Sequence, residues 1–219
     1  MFRRCIALCL VIAAIIATSP FAQAKPTAET RYRYFGVTGS SAESIHSALV
    51  ARGPTVNGEK AYGSVEMSSQ QRGMLFSTPT GCELREFQLR LNFTVRLPRL
   101  TARASMSPAL RSRWKSFENF VRDHEAIHRQ IWMSCASSVE SRVRTIRTRT
   151  CRALQMKTLR VVDETWTNCA KRHNAFDAAQ RRPLLRQPFI IDAGFVSQKP
   201  ESGGTRVRAT RAVRARMSR

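Results

Sequence analysis

The strongest pattern of hydrophobic and polar positions is a strict alternation from Glu86 to Leu97, within the segment CELREFQLRLNFTVRLP, residues 82–98. Apolar side chains hold every second position, and polar side chains hold the positions between them. A period of two is typical of a β-strand with one buried face, here a strand of an antiparallel sheet that ends at Pro98. The positions predicted to be buried are Phe87, Leu89, Leu91, Phe93, Val95 and Leu97.

Further strands and a short helix are predicted before this strand. The segment RYRYFGV, residues 31–37, alternates like a strand, and two more strands are predicted near residues 61–67 and 74–77. Between them, the segment TGSSAESIHSALVARGP predicts a short helix. Its serines can cap the helix start, and Gly53-Pro54 is a typical helix end.

From Pro108 to about Ala179 the apolar positions follow a helical period. A break is expected among the threonines and arginines at 145–150, with a second helix from about Cys151. Two long antiparallel helices are the simplest arrangement. The predicted fold class is therefore α+β, with an N-terminal antiparallel sheet and a short helix followed by two long helices.

The two ends of the chain differ in composition from the middle. Two arginines precede an apolar run over about residues 5–17, which predicts a secretory signal peptide, residues 1–24, cleaved after Ala24. Residues 197–219 lack an apolar period and are rich in arginine, which predicts a disordered basic tail. Residues 25–196 then form one domain, periplasmic or secreted, without a transmembrane segment in the mature chain.

The charge of the chain is strongly positive. It has 37 Lys and Arg against 15 Asp and Glu, a formal net charge of +22. Such a surface attracts polyanions, which outside the inner membrane include anionic envelope polymers and lipid head groups. Nucleic acid is disfavoured as a partner, because the chain is predicted to be exported and lacks a basic stripe interleaved with aromatic residues.

Four cysteines remain after removal of the signal peptide, namely Cys82, Cys135, Cys151 and Cys169. An even number in an oxidising compartment predicts two disulfides. Four cysteines allow three pairings that the sequence does not rank. Our prediction is Cys82 with Cys151 and Cys135 with Cys169. A zinc site built from these cysteines is disfavoured, because no CxxC pair is present.

Candidate chemistry lies in the segment WKSFENFVRDHEAIHRQIW, residues 114–132. On a helix, His124 and His128 fall on the apolar stripe, and Glu125 falls on its margin. Imidazoles one turn apart can bind one Zn²⁺, and the adjacent Glu125 can act as general base toward a water that the metal activates. The alternative is a pair of core histidines satisfied by hydrogen bonds, with Glu125 as an ordinary carboxylate on the helix surface.

A third zinc ligand is not contained in the same motif. The extended motif HExxHxxGxxH is absent, because Ile131 and Ser134 occupy its Gly and His positions. Glu140 lies twelve residues after His128, about 18 Å along a helix, and cannot reach the same ion.

The second long helix supplies the remaining candidates. His173 is the predicted third ligand, and Asp177 or Glu164 is the alternative. His173 and Asp177 are four residues apart, so they share a helix face and could act as ligand and as a residue that orients a ligand. His46, in the short N-terminal helix, is predicted to be structural or exposed.

These segments together resemble a bacterial family of predicted secreted zinc-dependent proteases, which was catalogued as a domain of unknown function. The resemblance rests on YRYFGVTG, ARGP, the cysteine-led strand, Trp114 and Phe117 before His124-Glu125-x-x-His128, and CRAL, over about residues 31–177. It implies a zincin-like metalloprotease domain, here residues 25–196.

The chain departs from the family pattern after the second helix. Members have a Tyr-Asp pair followed by a Thr and a His-Gly, whereas this chain has Phe176-Asp177, then Gln180 and Arg182-Pro183. The leading functional hypothesis is a periplasmic or secreted zinc peptidase acting on peptide or protein substrates, with Glu125 as general base. The alternative is a catalytically inactive zincin-like basic protein that binds anionic envelope polymers.

Overall fold

The computed structural model describes residues 25–101, 106–194 and 214–215, and two long strands and two long helices form most of this described part. In chain order the elements are β1 (Thr27–Val37), α1 (Ala42–Arg52), β2 (Thr55–Val56), β3 (Glu59–Lys60), β4 (Ser64–Thr78), β5 (Gly81–Leu100), α2 (Pro108–Arg144), β6 (Arg147–Thr148), α3 (Cys151–Leu185), α4 (Pro188–Asp192) and β7 (Arg214–Ala215). The α+β class is as predicted.

The sheet is mixed, so the prediction of a purely antiparallel sheet was wrong. Its order is β1-β5-β4-β7, with β6 also paired to β5. Strand β5 is antiparallel to β4 and parallel to β1. Helix α1 and the β2–β3 hairpin return the chain to the end of the sheet where β1 finished. Strand β4 therefore runs opposite to β1, and β5, which reverses again, runs parallel to β1.

Strand β5 buries the face that its alternation predicted, from Phe87 to Leu97. Cys82 and Leu84 are also buried, although they have the opposite parity. A β-bulge opposite Arg72 and Met74, with Glu86 at φ 53°, adds one residue to β5 and brings both sets to the same face.

Two predicted strand boundaries were wrong. Pro98 does not end β5, which continues to Leu100. Strand β4 pairs with β5 only as far as Arg96, so one edge of β5 is unpaired at Pro98 and a residue without an N–H is tolerated there. The two strands predicted near 61–67 and 74–77 are one continuous strand, β4, because it pairs with β5 on both sides of the register shift between Arg72 and Met74.

The three longer helices, α1, α2 and α3, begin at capping residues. Ser41 forms a capping box with Ser44 at the start of α1, and Ser107 and Thr150 accept hydrogen bonds from the first turns of α2 and α3. The predicted break between the long helices is therefore a capped turn that contains β6. Both helices cover the apolar face of the sheet, where Trp132, Val139 and Trp166 meet Leu89 and Phe93.

Two disulfides join these layers in the pairing predicted from the sequence. Cys82–Cys151 ties β5 to the start of α3, and Cys135–Cys169 ties α2 to α3. The pairing fits an exported protein. Within the described parts of the chain, none of the helices combines the length and the hydrophobicity that a membrane crossing requires.

Two predictions concern the ends of the chain. The signal peptide, residues 1–24, lies outside the described residues. The tail predicted to be disordered, residues 197–219, also lies outside them except for the two residues of β7, which pair with Gln70 and Gln71 of β4.

Candidate metal centre

Helices α2 and α3 run antiparallel and place the histidines of one against the carboxylate of the other. Residues later in α2 contact residues earlier in α3. His124 contacts Asp177, His128 contacts His173, and Cys135 is bonded to Cys169. The disulfide lies directly beyond the histidines, so it fixes the register of the two helices close to this cluster.

Three atoms converge between the helices. The Oδ1 atom of Asp177 lies 3.2 Å from Nε2 of His124 and 2.9 Å from Nε2 of His128. The two Nε2 atoms are 2.9 Å apart. Among the described residues, His124, His128 and Asp177 are the group whose ligand atoms all lie within 4.8 Å of one another.

His173, the predicted third ligand, lies behind His128 instead of at this point. Its Nδ1 atom is 2.7 Å from Nδ1 of His128, and its ring packs on Trp132 with centroids 4.4 Å apart. Burial, together with the neighbouring His128, lowers the pKa of His173 to about 4. The neutral imidazole is therefore placed to hold the His128 ring, while Nε2 of His128 faces Asp177.

Asp177, an alternative in the sequence analysis, occupies the convergence point. Burial acts to raise the pKa of Asp177, but the hydrogen bonds from His124 and His128 outweigh it and hold the pKa well below its usual range. The side chain is therefore an anion that faces two imidazole nitrogens.

The other alternative, Glu164, lies elsewhere on α3. It forms an exposed ion pair with Arg142 at 3.1 Å. It is thirteen residues before Asp177, about 20 Å along the helix. Glu140 is also remote from the cluster, and its carboxylate accepts a hydrogen bond from the backbone N–H of Leu89 at 3.1 Å.

Glu125 is only 5% exposed and is buried more deeply than either neighbouring histidine, whereas the helical wheel placed it on the margin of the stripe. Gly63, just before β4, makes this possible, because a Cβ there would lie 2.8 Å from Oε1 of Glu125. Burial, and then the nearby charge of Asp177, raise the pKa of Glu125 to about 8. Gly63 was not among the predicted site residues, since its only signal in the sequence is a glycine directly before a strand.

A second hydrogen-bonded pair supports the segment that contains Gly63. His46 is buried on α1, and its ring nitrogen lies 2.7 Å from the hydroxyl of Tyr62. Tyr62 packs edge-on against Phe117 of α2 with centroids 5.4 Å apart. His46 was predicted to be structural or exposed, and it is structural. It anchors Tyr62, the residue next to Gly63.

An open cleft of about 570 Å³ leads to the cluster. One wall is formed by residues 56–65, which include the β2–β3 hairpin and the start of β4. The other wall is formed by α2 and α3, and the cleft floor includes His124, Glu125, His128 and Asp177. Glu125 and the three convergent atoms therefore face the same space, which a substrate can enter.

The donor set fits a zinc ion. Two imidazoles and a carboxylate are a ligand set of catalytic zinc sites, which keep one position open. Bonds of about 2.0–2.2 Å in tetrahedral geometry place ligand atoms roughly 3.4 Å apart, so the convergent atoms need to separate only slightly. The cleft on the open side leaves room for a further ligand.

The comparisons with known proteins identify the family. The model of a family described as "Bacterial protein of unknown function (DUF922)" matches residues 32–182. The chain belongs to the DUF922 family. The matched region contains all the residues of the cluster, from His124 to Asp177, and the family description assigns no activity. Searches of curated proteins and of solved structures find no significant match.

Proposed function

We propose that this DUF922 member is an exported zinc-dependent peptidase. The observation that carries the proposal is the convergence of His124, His128 and Asp177 on one point, with Glu125 beside it in an open cleft. Nε2 of His124, Nε2 of His128 and Oδ1 of Asp177 would hold the ion, and His173 would hold the His128 ring through Nδ1. Asp177 thus takes the ligand role, and His173 the orienting role.

Bound zinc supplies Lewis-acid chemistry that activates water and polarises a peptide carbonyl. The Glu125 carboxylate accepts a proton from the attacking water as its oxygen bonds to the carbonyl carbon, and it donates that proton to the amine nitrogen as the C–N bond breaks. Gly63, which has no side chain, leaves the space that the buried Glu125 carboxylate occupies beside the cleft. Glu125 is therefore assigned both proton transfers.

The alternative is a catalytically inactive zincin-like protein that binds anionic envelope polymers. The net charge of +22 favours it, since such a surface attracts polyanions whatever the state of the cleft. Peptide hydrolysis requires Glu125 as general base, whereas polymer binding does not.

The test is hydrolysis of a mixed peptide library by the mature chain, analysed by mass spectrometry, after chelation and after zinc is restored. The peptidase proposal predicts zinc-restored cleavage that Glu125→Gln abolishes while the variant still binds zinc. Glu164→Gln is the matched control, since it changes an exposed glutamate outside the cleft. Cleavage that survives in Glu125→Gln removes that residue from the mechanism.

A further inference from the structure

The end of the sheet farthest from the cleft carries apolar and basic side chains on its solvent-facing surface. We call this surface the hairpin face. It consists of Arg72, Met74 and Phe76 on β4, Glu83 and Arg85 on β5, and Arg147 on β6. The opposite face of these strands packs on the helices through Leu75, Cys82 and Leu84.

Two large apolar side chains on the hairpin face are exposed. Met74 is 46% exposed and Phe76 is 44% exposed, and they stand two residues apart on the same side of β4. The guanidinium of Arg85 lies over the Phe76 ring, 3.4 Å from its centroid. Polar side chains occupy the solvent-facing positions farther back along the strand, at Glu66, Ser68 and Gln70. Along β4, the exposed large apolar side chains are therefore confined to the hairpin end of the strand.

The charges around these two side chains are positive in sum. Glu83 pairs with Arg85 at 2.6 Å and with Arg147 at 3.4 Å, through different carboxylate oxygens. Arg72 adds a third arginine, so the face carries three positive charges and one negative charge. About half of the side-chain surface of Arg85 and Arg147 remains exposed. Both guanidinium groups therefore keep N–H groups available for a phosphate.

This combination matches an anionic lipid surface better than a soluble polyanion. Lipid phosphates can bind the guanidinium groups, and the boundary with the acyl chains can take up Met74 and Phe76. A soluble polyanion offers charge but no apolar phase, so it gives no reason for the two apolar side chains to be exposed.

The position of the hairpin face leaves the cleft open. Strand β4 begins at Ser64, which lines the cleft, and Phe76 lies twelve residues farther along it, roughly 40 Å away. We infer that the hairpin face docks this protein on anionic phospholipid, with Met74 and Phe76 at the lipid boundary and the cleft directed away from it. The inference does not depend on the proposed peptidase activity.

The experiment is co-sedimentation of the mature chain with vesicles of phosphatidylglycerol and phosphatidylcholine, compared with vesicles of phosphatidylcholine alone. The inference predicts binding to the anionic vesicles. It also predicts a loss of about tenfold or more for Met74→Ser/Phe76→Ser and for Arg85→Gln/Arg147→Gln. The matched control is Arg31→Gln/Arg33→Gln, which removes the same charge from exposed positions on β1 and is expected to bind nearly as tightly as the wild type.

Three results would overturn the inference. They are no preference of the wild type for anionic vesicles, wild-type binding by Met74→Ser/Phe76→Ser, and an equal loss in the Arg31→Gln/Arg33→Gln control. Circular dichroism checks the fold of each variant. Arg85→Gln/Arg147→Gln removes both ion-pair partners of Glu83 and could unfold the chain. Met74→Ser/Phe76→Ser changes solvent-exposed side chains, so it still tests the inference in that case.

Discussion

His173 lies directly behind His128, with their Nδ1 atoms 2.7 Å apart, while Nε2 of His128 faces Asp177 at 2.9 Å. One imidazole is thus held from behind by a second imidazole and directed at a carboxylate. His173 and Asp177 therefore contact opposite sides of the His128 ring, although they share one face of α3.

This difference predicts unequal effects on zinc affinity. Asp177→Asn removes a ligand charge and is expected to weaken zinc binding by more than 100-fold, whereas His173→Gln is expected to weaken it by about 10–100-fold through loss of ring orientation. Competition with a chromogenic chelator measures both affinities. Glu164→Gln serves as the control. If His173→Gln loses zinc and Asp177→Asn keeps it, His173 is the ligand and Asp177 is the residue that orients it.

The close approach of Gly63 to Glu125 predicts that a single methyl group disturbs the site. In Gly63→Ala the new Cβ would lie 2.8 Å from Oε1 of Glu125 and 2.9 Å from Cγ1 of Val121. We expect destabilisation of about 1–3 kcal/mol, measured by urea denaturation. In the Glu125→Ala background the penalty is expected to shrink, because one of the two clashing side chains is gone. An unchanged penalty would place the strain elsewhere.

The two disulfides are expected to differ in their effect on the metal. Replacement of either pair by serine is expected to cost about 2–5 kcal/mol of stability. Only Cys135→Ser/Cys169→Ser is expected to weaken zinc binding, because this bond joins α2 and α3 next to His173, whereas Cys82–Cys151 joins β5 to the far end of α3. Equal zinc affinity in the two variants, under conditions where both remain folded, would contradict this coupling.

The buried His46 predicts a dependence of stability on pH. Burial lowers the pKa of His46 in the folded state, so the unfolded chain takes up a proton more readily. Its stabilising contribution is complete above the unfolded pKa of about 6.5 and declines as the pH falls from there toward the lower folded pKa. In His46→Gln the loss of stability between pH 7.5 and pH 5 is expected to be smaller, measured by urea denaturation with chelator present.

Much of the fold could be predicted because its signals are local. The alternation in β5, the helical period from Pro108 and the capping residues each fix an element within a short window of sequence. The parallel pairing of β1 with β5 could not be predicted in this way, since it depends on how α1 and the β2–β3 hairpin direct the chain.

The candidate site also has a part that the sequence shows and a part that depends on tertiary structure. His124, Glu125 and His128 belong to one motif on one helix, so their spacing is visible in the sequence. The choice between His173 and Asp177 depends on the register of α2 against α3, which the Cys135–Cys169 bond and the packing of Trp132 on His173 determine. Tertiary packing of this kind leaves no periodic pattern in the sequence.

Zinc stoichiometry of the purified mature chain, measured by elemental analysis beside His124→Ala, tests the central claim most directly. The structure of the site predicts one zinc per wild-type chain after incubation with excess metal and removal of unbound ions, and none in His124→Ala. No zinc in the wild-type chain, or equal zinc in both proteins, would contradict a metal centre formed by His124, His128 and Asp177.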